Sequence, residues 1–180
     1  MTRAQLDEYL HQPLVVLDTE TTGFLYTAGD EVIELAGEKV IDGQVVDTFH
    51  KLICPSRPVP AQATAVHGLT NDYLAQFGDA SGRVFPEFAD FIKGTVLVGH
   101  NIRRFDYPFI ATHYLNLGMS VPVNPIVDTL ELSRRYLSLP NHKLGTIAAH
   151  FGISTDGAHR AMADVVMTRK VLFELIRHIR

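Results

Sequence analysis

Cysteine is nearly missing from this chain, with one residue, Cys54, in 180. A lone cysteine excludes an internal disulfide and any cysteine-based zinc cluster. Placed between Leu52-Ile53 and Pro55, it reads as a buried strand residue rather than a nucleophile. Long hydrophobic runs are missing too. None approaches the ~18 residues that span a bilayer, and the opening stretch MTRAQLDEYLHQ lacks the apolar h-region of a signal peptide. The expectation is a soluble, cytoplasmic protein with no membrane partner. Nor is there a surplus of positive charge. A net charge of −4, with nine histidines neutral, argues against a bulk electrostatic grip on duplex nucleic acid. It leaves room for a small acidic site that takes one strand end. Repeats, low-complexity segments and linkers are also absent. The 46% apolar composition therefore reads as one domain, 1–180, able to bury ~70% of its unfolded surface.

Taken in order, the chain alternates between strand and helix periodicity. Residues 3–11 read as an amphipathic helix, so that 1–12 forms a helical extension ahead of a core at 13–175. Strands are expected at about 14–18, 31–41 and 44–53, and Asp42-Gly43 between the last two is a type I′ hairpin signal. Short helices follow at 61–66 and from an N-cap at Thr70 to Gly78. Gly78 to Gly82 reads as a polar loop, Pro86 as the first turn of a helix at 86–93, and 95–98 as a strand covered on both faces. A long helix at 104–117, a short strand at 126–127 and helices at 129–137, 144–151 and 160–179 complete the pattern. Asp128 with Glu131 has the spacing of a capping box, which assigns Asp128 a structural role. The sum is an α/β sheet with a hairpin edge and helices on both faces.

What the chain does have is carboxylates at strand ends. In Val15-Val16-Leu17-Asp18-Thr19-Glu20-Thr21-Thr22-Gly23, an extended backbone points Asp18 and Glu20 the same way. Such a pair repels unless a cation lies between, and a hard divalent ion bound through oxygens is the usual remedy. Two acids alone are equally a polar strand end. Val98-Gly99-His100-Asn101-Ile102-Arg103-Arg104-Phe105-Asp106 repeats the design. Strand ends along one edge of an α/β sheet are where such folds place ligands, although Asp106 also suits a helix N-terminus on electrostatic grounds. The third stretch is Gly157-Ala158-His159-Arg160-Ala161-Met162-Ala163-Asp164. Helix positions five apart diverge by ~140°, so His159 and Asp164 converge only if His159 occupies the turn before the helix. Gly157 and the small alanines suit a helix start packed against a neighbour. Asp164 is an acid ahead of Val165-Val166-Met167; a buried acid needs a partner, and a metal would supply one.

Together the three stretches resemble the DnaQ-like DEDDh 3′–5′ exonuclease family, the group that contains the proofreading epsilon subunit of bacterial DNA polymerase III. Asp18 and Glu20 stand in a DTETTG first motif, Asp106 in an HNxxxFD second motif, and His159 and Asp164 in an HxxxxD third. Val66-His67-Gly68-Leu69-Thr70, Val127-Asp128-Thr129-Leu130 and His142-Lys143-Leu144 match lesser patterns, so the resemblance covers about 13–175. It implies an RNase H-like fold, with a five-stranded mixed sheet flanked by helices. It also implies hydrolysis of the 3′-terminal phosphodiester, releasing nucleoside 5′-monophosphates. Two Mg²⁺ or Mn²⁺ ions ~3.5–4 Å apart would stabilise the attacking and leaving oxygens, and an all-oxygen donor set matches those ions rather than Zn²⁺. On this resemblance Asp18 bridges both ions, Glu20 and Asp164 complete the first, and Asp106 supports the second, partly through water. His159 is the general base, a task suited to an imidazole with its ordinary pKa of ~6.5.

The terminal nucleotide maps by the same resemblance onto Thr22, Gly23, Phe24, Val66, His67, Asn101 and Phe105. There a glycine permits close backbone approach and aromatic groups stack on the base. Phe105 reads otherwise as core, and His67 as a helix terminator. Arg103 and Arg104 replace the small residues often found between Asn and Phe-Asp. With Lys143 and Arg160 they read either as phosphate neutralisers or as a solvated basic turn. His100 is a rival base, better placed to orient or support. The expected substrate is a 3′ end of single-stranded DNA, or a frayed or mismatched one, because DTETTG resembles the DNA-directed branch. The alternatives are an RNA-trimming, oligoribonuclease-like activity and a non-catalytic nucleic-acid-binding subunit of a DNA polymerase or repair complex. All five catalytic positions are filled, which speaks against the last. The chain ends with its last helix, without the tail that tethers the proofreading subunit, and this favours a free-standing enzyme.

Overall fold

The sheet is organised by an alternation that begins in its first strand. In the computed structural model, which describes residues 2–179, β1 (Leu14–Thr21) sends Leu14 and Val16 into one core cluster and Val15 and Leu17 into another. A strand's two-residue period requires this when both faces are covered. β2 (Val32–Ile41) and β3 (Gln44–Leu52) form the hairpin, turning at Asp42 and Gly43, both with positive φ. β1 pairs antiparallel with β2, and parallel with β4 (Val96–Gly99), which pairs parallel with β5 (Ile126–Asp128). The order β3-β2-β1-β4-β5 is the mixed five-stranded sheet expected. The C-terminal ends of the parallel β1, β4 and β5 therefore share one edge.

The helices divide between the two faces. α1 (Arg3–Leu10) is held by a capping box between Thr2 and Gln5 and buries Leu6 beside Leu14 and Val16. α2 (Ala61–His67) and α3 (Asn71–Phe77) are short, and Thr70 caps α3 as expected. α4 (Ser81–Ile92) and α5 (Asp106–Asn116) cover the Val15–Leu17 face. α6 (Thr129–Tyr136), α7 (Leu144–His150) and α8 (Ala161–Ile179) cover the other. None of the described helices is long and apolar enough to cross a membrane.

Three expectations change. The helix expected from Pro86 begins five residues earlier, at Ser81, with Pro86 inside it. Val84, Phe85, Phe88, Phe91 and Ile92 are all buried, and that apolar stripe outweighs costs of ~1 kcal/mol for Gly82 and ~3 kcal/mol for Pro86. Cys54 is exposed rather than buried. β3 stops at Leu52, Ile53 takes the inward position, and Cys54 lies beyond the strand. The long helix after β4 starts at Asp106 rather than 104, because the Asn101–Phe105 turn is fixed by other bonds.

Candidate active site

Asp18 and Glu20 continue the even-numbered face of β1, which is the face that α8 covers. Asp164, in the first turn of α8, meets them there. One carboxylate oxygen from each of the three lies within 4.8 Å of the others, the one such acidic or histidine group among the described residues. The register between β1 and β2 shifts after Glu20, where β2 carries the extra residue Ile33, a feature that re-aims side chains at the end of a strand.

Asp106, the first residue of α5, is buried on the other side of the same strand end. Its Oδ1 accepts hydrogen bonds from the Thr19 backbone N–H at 3.1 Å and from Thr19 Oγ1 at 2.7 Å. The structure thus gathers three carboxylates closely and places the fourth beside them, tied to β1 by the residue between Asp18 and Glu20.

The electrostatics of this cluster are strained. Burial, then repulsion from Asp106, Asp164 and Glu20, pushes the Asp18 carboxyl well above the usual carboxylate range. Glu20 is pushed up to about 8 by burial and by Asp164 and Glu34. Burial raises Asp106 to about 7 against the pull of the Thr19 hydrogen bonds. Burial also raises Asp164, against the opposing His159 backbone N–H. Carboxylates that resist ionisation in company are a site lacking a counter-charge. An oxygen-only donor set of this compactness fits a hard divalent cation.

His159 occupies the turn ahead of α8, as convergence with Asp164 demands. It adopts a left-handed φ of 67°, and its backbone N–H donates to Asp164 Oδ2 at 3.1 Å. Its side chain is exposed. Gly157 opens this turn at a φ of 77°, a left-handed conformation that favours glycine.

Glu34 is the residue that sequence reasoning missed. It is fully buried on β2, directly across from Glu20. Arg160 donates to it from Nε at 3.1 Å and Nη2 at 2.8 Å, the Ala161 N–H donates at 3.1 Å, and His50 Nε2 lies 2.7 Å away. These bonds overcome the burial that opposes ionisation and hold Glu34 down at about 2. The turn carrying His159 is thereby clamped to the sheet. Arg169 repeats the arrangement further along α8, donating to Glu38 at 2.6 Å. The signal was available, since Glu34 is an acid inside Val32-Ile33-Glu34-Leu35, the same sign that flagged Asp164. Breaking a buried pair costs ~3–5 kcal/mol. Arg160 is partly open to solvent, so Arg160→Met is expected to cost about 2–4 kcal/mol. Thermal denaturation at pH 7 should show a Tm fall of roughly 5–15 °C.

The residues mapped to the terminal nucleotide lie on the segments around this cluster. Phe24 is 81% exposed, with its ring 6.3 Å from that of half-buried Phe105, and Val66 is 55% exposed. Phe105 also packs on Phe109, so it serves core and surface together. Thr22 ties the loop, its Oγ1 accepting from the Glu31 N–H at 2.9 Å. Gly23 has a reason internal to the chain, because a Cβ there would overlap the Asp30 carboxylate. Asn101 adopts a left-handed φ of 63°. His67 is 4% exposed; its Nδ1 accepts from the Leu69 N–H at 3.0 Å, and the Thr21 backbone supports its buried ring.

Asp128 is structural, though not through a capping box. It caps α6 by accepting from the Leu130 N–H at 2.9 Å, and it also accepts from the N–H groups of Asn101 and Arg103. Glu131 turns away to Arg103, at 3.6 Å. Of the four basic candidates, Arg103 and Arg160 are engaged within the chain. His100 supports the same edge, its Nδ1 lying 3.0 Å from Thr129 Oγ1.

The RNase_T exonuclease family model matches residues 15–172. A DNA polymerase III PolC-type protein of Lacticaseibacillus paracasei is 39% identical over 162 residues, which cover 89% of this chain and 11% of that one. A DNA polymerase III subunit epsilon-like protein of Rhodobacter capsulatus is 36% identical over 167 residues, covering 90% of this chain and 23% of that one. The chain thus spans less than a quarter of the length of these relatives. In fold it is similar to Escherichia coli exonuclease I in complex with a dT13 oligonucleotide (TM-score 0.80, 19% identity, 91% of this chain and 40% of that one). It is also similar to exonuclease X in complex with 5′ overhanging duplex DNA (TM-score 0.71, 24% identity, 91% of each chain).

Proposed function

Because the chain belongs to the RNase_T exonuclease family, we propose that it removes nucleotides from the 3′ end of single-stranded DNA, or of a frayed or mismatched duplex, with divalent-metal assistance. The observation that carries this reading is the convergence of Asp18, Glu20 and Asp164 oxygens within 4.8 Å. Similarity to a single-strand complex of exonuclease I and to polymerase III proteins favours DNA as substrate. Two Mg²⁺ or Mn²⁺ ions held by Asp18, Glu20 and Asp164, with Asp106 at the second position, would stabilise the charge on the attacking and leaving oxygens of an in-line displacement.

The chain's own groups do the rest. His159 takes the proton of the attacking water, from a turn held by Asp164 on one side and Glu34 on the other. Phe24 and Phe105 stack on or wedge against the terminal base, and His67 forms part of the pocket wall. Thr22, Gly23, Val66 and Asn101 complete the wall.

Chromatography of the products tests the reaction. Digestion of single-stranded DNA and of the matching RNA in Mg²⁺ should release nucleoside 5′-monophosphates from the 3′ end, faster from DNA. Nucleoside 3′-phosphates or internal fragments as first products would contradict the reading. His159→Ala should lower kcat by ~10²–10⁴-fold while Mn²⁺ binding, followed by electron paramagnetic resonance, stays within a few-fold of the parent. A variant as fast as the parent would remove His159 from the mechanism.

A further inference from the structure

The acidic cluster that suits a metal repels an incoming phosphate chain, so the strand behind the terminal nucleotide must be held elsewhere. The register shows where along the edge to look. Val16 pairs with Val98 and Val98 with Val127. Gly99 pairs with Asp128 and His100 Nδ1 lies 3.0 Å from Thr129 Oγ1, so the ends of β4 and β5 stand side by side next to β1, the strand that carries Asp18. With strands ~4.8 Å apart, β4 and β5 lie about 5 and 10 Å from β1, the distance one or two nucleotides of an extended strand would cover.

A groove of about 410 Å³ opens there, lined by His100, Asn101, Arg134, Asn141, His142 and Lys143 together with two leucines. Its lining contains hydrogen-bond donors and no carboxylate, in a chain whose net charge is −4. Arg134 and Lys143 are exposed, and neither has an ion pair among the described residues. Arg103 and Arg160, by contrast, are engaged by Glu131 and Glu34. The walls are fixed before anything binds. Asn141 Oδ1 accepts from the Lys143 N–H at 3.1 Å and from Thr146 Oγ1 at 2.7 Å, while His142 Nδ1 lies 3.2 Å from Ser133 Oγ. Asn101 belongs to both the groove and the turn leading to Asp106.

We propose that this groove binds the phosphodiester backbone of the substrate strand one and two nucleotides upstream of the scissile bond, with Arg134 and Lys143 as the phosphate contacts. The inference rests on the exonuclease reading, and it gives the enzyme a grip that depends on strand length. A mononucleotide ester leaves the groove empty, whereas an oligonucleotide fills it.

The test is the Arg134→Ala/Lys143→Ala double variant, which alters two exposed side chains. Its activity is compared with the parent's on thymidine 5′-(p-nitrophenyl phosphate) and on a single-stranded thymidine oligonucleotide of about twelve residues. Binding of the same labelled oligonucleotide is followed by fluorescence anisotropy in Ca²⁺, over a salt series. Hydrolysis of the ester should stay within twofold, while KM for the oligonucleotide should rise about tenfold. The slope of log affinity against log salt should become shallower by about 1.4, for two lost contacts on a single strand. Oligonucleotide affinity and salt slope equal to the parent's would overturn the groove assignment. If the parent cleaves neither substrate but the double variant still binds the oligonucleotide more weakly, the groove stands and the catalytic reading falls.

Discussion

Asp18→Asn is expected to abolish nuclease activity and at the same time raise the melting temperature of the metal-free protein. The loss follows from position, because Asp18 is at the centre of the acidic group formed with Glu20 and Asp164. Removing a charge on which metal-assisted hydrolysis depends costs several kcal/mol, about 10³-fold or more in rate. The gain follows from the same position. Without a cation, the ionised Asp18 is opposed by burial and by Asp106, Asp164 and Glu20, and an amide of equal size removes that opposition. Differential scanning calorimetry in EDTA at pH 8 should show Tm higher by roughly 3–8 °C. A substitution that merely damaged the fold would lower Tm along with activity, so the two readouts moving in opposite directions mark a functional site.

Stabilisation by Mg²⁺ should be large at pH 8 and nearly absent at pH 5.5. Glu20 and Asp106 are raised to about 8 and about 7 in the folded chain, against ~4 for ordinary carboxylates. Between those limits the folded protein holds protons that the unfolded chain has released. Metal-free stability therefore falls as pH rises from ~4 towards about 8. Glu34 acts in the opposite sense. Held at about 2 by Arg160, His50 and the Ala161 N–H, it contributes stability above pH ~4.5 that is lost as pH falls towards 2. Metal-free stability should thus peak near pH ~4. Because the cation displaces protons from the same oxygens, about 10 mM Mg²⁺ should raise Tm by roughly 5 °C or more at pH 8 and by about 1 °C at pH 5.5. Calorimetric titration at pH 7 in buffers of different ionisation heat should show protons leaving on binding. Equal Tm increments at the two pH values would mean that these carboxylates do not receive the ion.

The sheet was legible because β1, β4 and β5 begin as apolar runs bounded by turn residues, and Asp42-Gly43 fixes the hairpin of the two longer strands. The three acidic stretches were legible because each ends an apolar run in a polar turn. Helix geometry required His159 to occupy the turn ahead of the helix if it was to meet Asp164, and it does occupy that turn, with its backbone N–H on the Asp164 carboxylate. What escaped was set by tertiary packing. α4 begins at Ser81 through two glycine- and proline-weakened turns because five buried side chains hold it there. Asp128 has the spacing of a capping box, yet its carboxylate serves Asn101 and Arg103, a contact that exists only once β4 and β5 lie side by side. Glu34 and Arg160 stand 126 residues apart, and no local pattern joins them. Thr19 looked like spacing between two acids, and its hydroxyl and N–H are what bind Asp106 to β1.

The most direct measurement is a gel. Single-stranded DNA labelled at its 5′ end is incubated with the parent protein in Mg²⁺, in EDTA, and with Asp18→Asn in Mg²⁺. A ladder of progressively 3′-shortened strands in the first lane alone is the result expected of metal-dependent 3′–5′ hydrolysis at Asp18, Glu20 and Asp164. An equal ladder in EDTA or with Asp18→Asn would contradict it, as would release of the labelled 5′ nucleotide as the first product.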